Sequence, residues 1–193
     1  MAGIIKCEGK TDEELVSLTL DNPDYFACLM KNYEAALLRF IYRISGVRRE
    51  DAEDVLQEVY IKVYRNLRDF DTSLKFSSWI YRITRNHVIS ESRKRKLRAE
   101  QILSEDEDYQ HFVSELSADS QTEKKLNREI INKILVELDG KYREVLILNF
   151  LEEKSYKEIS DIIKKPMGTI ATLLNRSKKK FKKEMDRQNI KVK

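Results

Sequence analysis

The chain has 193 residues, room for one large or two small domains, and its 36% charged residues with only 5 Gly and 2 Pro exclude a turn-rich β fold and favour helices. The formal net charge of +4 conceals a segregation: residues 99–123 carry eight acidic side chains and no Lys or Arg, whereas Lys178–Lys193 carries eight basic and two acidic ones, the pattern of interaction surfaces or tails. Cys7 and Cys28 form no C-x-x-C pair and have no His at ligand spacing, no apolar run reaches membrane-spanning length and Met1–Lys10 lacks a signal-peptide core; a disulfide framework, a zinc site and a membrane anchor are therefore not expected, and a reduced, cytoplasmic protein is.

In chain order, Thr11 and Glu14 have capping-box spacing and open a short helix to about Leu20, before the break Asp21-Asn22-Pro23. A long amphipathic helix follows, with Phe26, Leu29, Met30, Tyr33, Leu37, Phe40, Ile41 and Ile44 on one stripe and Ser45-Gly46 as its end. The next runs from about Arg49 to Leu67, with Ala52, Val55, Leu56, Val59, Val63 and Leu67 inward. Asp51, Asp54, Gln57 and Glu58 then share its outer face. Asp69–Phe76 breaks the pattern. A fourth helix from about Ser77 carries Trp79, Ile80 and Ile83 and turns strongly basic from Arg93 to Arg98.

The acidic stretch that follows has weak periodicity and few large apolar residues, and reads as a linker. Beyond it, Ile130, Ile131, Ile134, Leu135 and Leu138 make one helix, and Val145, Leu146, Leu148, Phe150 and Leu151 another. The predicted fold class is all-α, two small helical domains at 1–98 and 124–193 joined by the linker 99–123.

Ser155–Arg176 is the most specific stretch. Ser155 and Glu158 form a second capping box, Ile159, Ile162 and Ile163 an apolar stripe, and Pro166 keeps Lys165 out of helix. A helix restarting near Met167 buries Ile170, Leu174, Ser177 and Phe181 and presents Thr169, Thr172, Asn175, Arg176 and Lys179. Two short helices, a tight turn and positive charge on the second are the form of a helix-turn-helix, which lays one helix in the DNA major groove; an ordinary helical hairpin in an all-α core also has this pattern.

Three motifs, DAEDVLQEVYIKVYRNL, FSSWIYRITRNHVISESRKRK and YREVLILNFLEEKSYKEISDIIKKPMGTIATLLNRSKKKF, together resemble an extracytoplasmic-function (ECF) sigma factor of the sigma-70 family in order and spacing over Thr11–Lys183. The resemblance implies a region 2-like and a region 4-like domain, core RNA polymerase and promoter DNA as partners, no cofactor, no metal and no catalysis by the chain itself. It places Asp51, Asp54, Gln57 and Glu58 against the clamp helices of the polymerase, where an acidic face suits a basic partner; without it, a solvated helix face explains the same residues.

For the −10 element it implies that the loop Phe70, Asp71, Thr72, Ser73, Leu74, Lys75, Phe76 captures a flipped base. Asn86 would face the DNA, and Arg82, Arg85 and Arg93 would hold phosphates. Trp79 is open to two readings, core packing or base stacking. Ser90 stands where the family often has Asp, a matter of local capping. For the −35 element, Lys164 stands where the family usually has Gly, Lys165 where it has a small apolar residue, and Ala171 and Leu173 where it has basic ones, while Arg176 is retained. The implied readers are Lys164, Lys165, Thr169, Ala171, Thr172, Asn175, Arg176 and Lys179, with an atypical, T-richer preference through the methyl groups of Ala171, Thr172 and Leu173. Glu105, Asp106, Glu107 and Asp108 would line polymerase channels that otherwise hold phosphate, or serve as a solubilising linker.

An open hinge between the domains would admit an anti-sigma protein. The competing function is an operator-binding regulator that needs only the helix-turn-helix and binds DNA without polymerase. An enzyme finds no support, since the sequence offers no Gly-rich phosphate loop, nucleophile constellation or metal cluster.

Overall fold

The computed structural model describes residues 7–98 and 131–188, and among these all regular structure is helical. The acidic stretch with Glu105–Asp108, together with Ile130 and the tail beyond Gln188, lies outside the described residues.

In the first domain, α1 (Asp12–Asp21) starts at the expected capping box: Thr11 Oγ1 accepts from the Glu14 N–H at 3.2 Å and the Thr11 N–H donates to Glu14 Oε2 at 2.8 Å. A 3₁₀ turn over Pro23–Tyr25 leads into α2 (Phe26–Ser45), which ends where Gly46 takes φ 67° and its N–H returns to the Tyr42 carbonyl at 2.9 Å. The helix α3 (Arg49–Arg65) carries Glu50 and Asp51 in its first turn, favourable against the helix dipole; Leu67 belongs to a separate 3₁₀ turn, Leu67–Asp69. The fourth helix, α4 (Phe76–Arg98), begins one residue earlier than expected because Glu13 of α1 reaches across to accept the Phe76 N–H at 3.0 Å.

The predicted inward stripes of α2 and α3 are the observed ones, and they meet α4 in a core centred on Leu37, Phe40, Ile41, Val59, Val63, Phe76 and Ile80. Cys7 and Cys28 are joined by a disulfide with their Cα atoms 5.7 Å apart, which corrects the expectation of unpaired thiols. Their separation of 21 positions carries no local signal; the bond exists because the segment before α1 folds back onto α2.

In the second domain the order is α5 (described over 131–137), α6 (Gly140–Leu146), a π-helical turn Ile147–Leu151, α7 (Tyr156–Ile163) and α8 (Met167–Arg187). Phe150, expected inward, is exposed instead, because the wider π turn rotates it away from the face that buries Leu146, Ile147 and Leu148. Ile170, Leu174 and Ser177 are fully buried on α8 and Phe181 is half-buried, as the spacing requires.

The two domains are not splayed about an open hinge, as the sequence had suggested. The α4 helix packs against α7, the π turn lies on α2, and the buried apolar residues of both domains form one continuous cluster.

Candidate nucleic-acid and polymerase interfaces

The helix-turn-helix is built by local rules. Ser155 Oγ accepts from the Glu158 N–H at 3.3 Å and Glu158 Oε2 accepts from the Ser155 N–H at 2.9 Å, fixing the start of α7. Its end is Lys164, in the left-handed conformation at φ 58°, with its N–H on the Ser160 carbonyl at 2.9 Å. Glycine meets no steric cost there, whereas a lysine pays about 1 kcal/mol. Ser160 Oγ donates to the Lys165 carbonyl at 2.6 Å, and Pro166 caps α8. With Ile170 and Leu174 turned inward, Thr169, Ala171, Thr172, Asn175, Arg176 and Lys179 are all exposed on the opposite side, with Lys164 and Lys165 at its N-terminal end. The Thr172 hydroxyl donates to the Gly168 carbonyl at 2.9 Å, so it is engaged within the helix.

On α3, Asp54, Gln57 and Glu58 are exposed and Asp51 is half-buried, so the acidic face exists. It continues one turn further as Ile61, 50% exposed, and Tyr64, whose ring packs edge-on against Phe26 with centroids 5.1 Å apart. The sequence reading passed over these two, although Ile61 and Tyr64 follow Gln57 at i+4 and i+7. These two exposed apolar side chains beside the carboxylates make the outer face of α3 mixed rather than purely charged.

Around the candidate −10 reader, the loop between Phe70 and Phe76 is part core, part surface. Phe70 and Phe76 are buried, edge-on to each other at 5.5 Å, and Trp79 lies 5.2 Å from Phe70 and 5.6 Å from Phe76. Trp79 is thus a core residue, and the two phenylalanines shape the loop from beneath. Asp71, Thr72, Ser73, Leu74 and Lys75 are exposed above them. Asp71 Oδ1 accepts from the Ser73 N–H at 2.9 Å, and the bonds from Ser73 hold the Asp71 carboxyl below its usual range.

Beside the loop, between α3 and α4, opens a pocket of about 450 Å³ lined by Lys62, Asn66, Asp69, Trp79, Asn86 and His87. Asn86 is exposed at its rim and its Oδ1 accepts from Arg85 Nη1 at 3.1 Å. His87 is buried; burial, then the charge of Lys62, holds its imidazole below the ordinary range. The ring is therefore neutral, with Nδ1 accepting from the Lys62 ammonium and Nε2 3.0 Å from Glu58 Oε2. Lys62, Asn66, Asp69 and His87 were missed because three come from the end of α3 and its 3₁₀ turn, and only tertiary packing sets them beside α4. Arg82 is half-buried and Arg93 exposed on α4. Arg85 and Lys75 are engaged by the second domain: Glu144 grips the Arg85 guanidinium with both oxygens, and Lys75 Nζ lies 3.1 Å from Glu158 Oε1.

Glu158 is the most strongly shifted carboxylate among these. Burial works against its ionisation, but the Ser155 hydroxyl and N–H, then the bond and charge of Lys75, outweigh it and hold it at about 2. A depressed carboxylate stabilises the fold above its unfolded pKa, near 4.5, and loses that contribution as pH falls toward about 2. Ser155→Ala is therefore expected to destabilise the protein most above pH 4.5, with the deficit from wild type shrinking as pH falls toward 2. Urea unfolding along the pH series measures this, and a deficit that stays constant through that window would refute the assignment.

Among the described residues no group of three or more His, Cys, Asp or Glu side chains is placed to hold a metal ion, and no helix is long and apolar enough to cross a membrane. Residues 29–98 match the family Sigma-70 region 2 and residues 128–181 match Sigma-70, region 4. The chain is 36% identical over 169 residues to the ECF RNA polymerase sigma factor SigW of Bacillus subtilis, covering 84% of this chain and 89% of that protein. It is 28% identical to the ECF RNA polymerase sigma-E factor of Haemophilus influenzae, covering 89% and 93%. In fold it is similar to CnrH in complex with the cytosolic domain of CnrY (TM-score 0.69, 20% identity, 92% of this chain and 99% of that one). It is also similar to the sigma factor RpoE in complex with the anti-sigma factor NepR from Bartonella quintana (TM-score 0.64, 21% identity, 83% and 96%).

Proposed function

Because the chain belongs to the ECF group of the sigma-70 family, we propose that it joins core RNA polymerase in the cytoplasm, directs it to promoters with particular −10 and −35 elements and assists in opening the duplex. RNA synthesis itself remains the polymerase's chemistry. Residues 1–98 carry polymerase docking and −10 recognition, 99–123 form the linker, and 124–193 carry −35 recognition. The observation that carries this reading is the pairing, in one chain, of a region 2 helix with an acidic and apolar outer face and a helix-turn-helix whose reading helix turns its polar side outward.

Docking falls to Asp51, Asp54, Gln57 and Glu58, extended by Ile61 and Tyr64. The −10 element falls to the exposed loop residues Asp71, Ser73 and Lys75, with Phe70 and Phe76 supporting them from the core, and to Arg82, Arg85, Asn86 and Arg93 on α4. Control by an anti-sigma protein covering both domains fits the chain's similarity in fold to a sigma factor held by NepR. Reconstitution with core polymerase on the promoter upstream of this protein's own gene tests the whole reading. Start sites set by the chain support it; a chain that neither binds core nor changes where transcripts begin overturns it, and tight operator binding without polymerase would favour an ordinary regulator.

The −35 preference is expected to be T-rich. Ala171 and Thr172 offer methyl groups in place of the guanidinium forks that read guanine, Leu173 being half-buried against the core instead, while Lys164 and Lys165 supply sequence-neutral phosphate contacts. Selection of −35 sequences from a random pool bound by the reconstituted holoenzyme measures this, and a G-rich consensus would refute it.

A further inference from the structure

The amide that opens α4 is held from outside its own helix. Lys75 stands at the N-cap, where its carbonyl accepts from the Ser78 N–H at 3.1 Å and the Trp79 N–H at 3.3 Å. A lysine is poorly suited to that place: its side chain has no acceptor for the free N–H groups of the first turn, and its charge opposes the positive end of the helix dipole. Ser77, two residues on, is a local cap former, and a helix obeying its own sequence would start behind it. Instead Glu13 of α1 accepts the Phe76 N–H at 3.0 Å, a bond across 63 positions of sequence, and draws Phe76 into the helix. Its neighbour Asp12 takes the Tyr33 hydroxyl, and the Tyr33 ring packs edge-on to that of Phe76 at 5.6 Å. Two successive carboxylates of α1 thus fix Phe76, one by its amide and one through a ring.

That bond sets one end of the loop proposed to take the flipped base. The other end is set within the loop, where Asp71 Oδ1 accepts from the Ser73 N–H at 2.9 Å and the Asp71 carbonyl from the Leu74 N–H at 3.0 Å. Only Lys75 lies between that turn and the amide that Glu13 holds. The α1 helix is in its turn anchored by the buried Leu15 and Val16, by its capping box and by the Cys7–Cys28 bond ahead of it. A loop that must fit one base needs its ends held to within about half an ångström by groups that do not themselves touch the base. Glu13 is half-buried while residues 71–75 are exposed, and it is such a group.

We infer that Glu13 is a positioning residue for −10 capture: its bond to the Phe76 N–H keeps the start of α4, and with it the loop 71–75, in the shape that receives the base. This rests on the proposed −10 role of that loop. Without the acceptor, α4 starts behind the Ser77 cap, Phe76 joins the loop, and residues 71–75 lose a fixed end. Opening of the duplex then slows. Docking on the polymerase, first contact with the closed promoter and the −35 contacts stay as they were, because none of them uses the loop.

The test uses holoenzyme reconstituted from the full chain and core polymerase, on the promoter upstream of this protein's own gene, with the initial binding constant and the rate of opening measured separately. Glu13→Ala is expected to slow opening about tenfold with initial binding unchanged, and Glu13→Gln, which keeps an acceptor oxygen, to open at the wild-type rate. Val59→Ala, a cavity at a fully buried position of α3, controls for lost stability and is expected to change neither. Hydrogen exchange in the free chain reads the geometry without transcription: the Phe76 amide is expected to exchange about tenfold faster in Glu13→Ala than in wild type or Glu13→Gln. Wild-type opening by Glu13→Ala, a loss of initial binding as large as that of opening, a slow Glu13→Gln, a Val59→Ala as slow as Glu13→Ala, or an unchanged Phe76 amide would each overturn the inference. Should Glu13→Ala fail to fold, Glu13→Asp replaces it: shorter by one methylene, it draws the carboxylate back from Phe76 and must slow opening and speed exchange in the same way. A wild type that neither binds core nor opens promoters, with Phe76 exchanging as expected in the variants, puts the failure in the promoter reading and not in the bond from Glu13.

Discussion

Phe76→Ala is expected to cost about 3–5 kcal/mol of folding stability, the usual range for emptying a buried aromatic site. Phe76 is fully buried where α1, α2 and α4 converge. Its ring lies edge-on to Tyr33 at 5.6 Å and Phe70 at 5.5 Å, and beside Trp79 at 5.6 Å, while its N–H is capped by Glu13. Tyr33 is itself fixed by donating its hydroxyl to Asp12, so a cavity here cannot close by moving one ring. Phe76→Leu keeps most of the volume and is expected to cost less than half as much while retaining promoter opening. Urea unfolding of both variants gives the ranking. A loss below about 1.5 kcal/mol for alanine, or a leucine variant that folds normally yet fails to open promoters, would show that the ring works on DNA rather than in the core.

Asn86→Ala is expected to leave stability nearly unchanged and to lose about 1–3 kcal/mol of discrimination at one −10 position, roughly five- to 150-fold in the preference for its base. Asn86 is exposed at the pocket rim, its amide contacts only Arg85 among the described hydrogen bonds, and nothing in the core depends on it. An amide offers a donor and an acceptor side by side, which a base edge can match and a methyl group cannot. Open-complex formation on a set of promoters varied one base at a time measures this. A uniform loss across all bases would make Asn86 a backbone-positioning residue, and no loss would remove it from the site.

Arg85 engages Glu144 of the second domain, so Arg85→Ala removes a proposed DNA contact and a bond between the two domains at once. Its effect on DNA binding by the free chain is therefore a poor measure of its role in the polymerase-bound state.

What the sequence determined by itself were the features governed by neighbours along the chain. The capping boxes at Thr11 and Ser155, the glycine end of α2, the inward stripes of α2, α3 and α8 and the break at Pro166 depend on hydrogen bonds and side-chain periods within a few residues, and all stand as the spacing required. The exposed polar face of α8 follows from the same periodicity, being what remains when Ile170 and Leu174 turn inward. Tertiary structure alone decided whatever needs two distant segments to meet. The Cys7–Cys28 bond, the burial of Phe70 beneath its own loop, the outward turn of Phe150 and the pocket that joins the end of α3 to Asn86 have no local signature. The contact of Glu152 with Arg43, 109 residues away, is the clearest case: a glutamate at a helix end reads as solvated in sequence, and only the approach of α2 and α4 gives it a partner and removes the water.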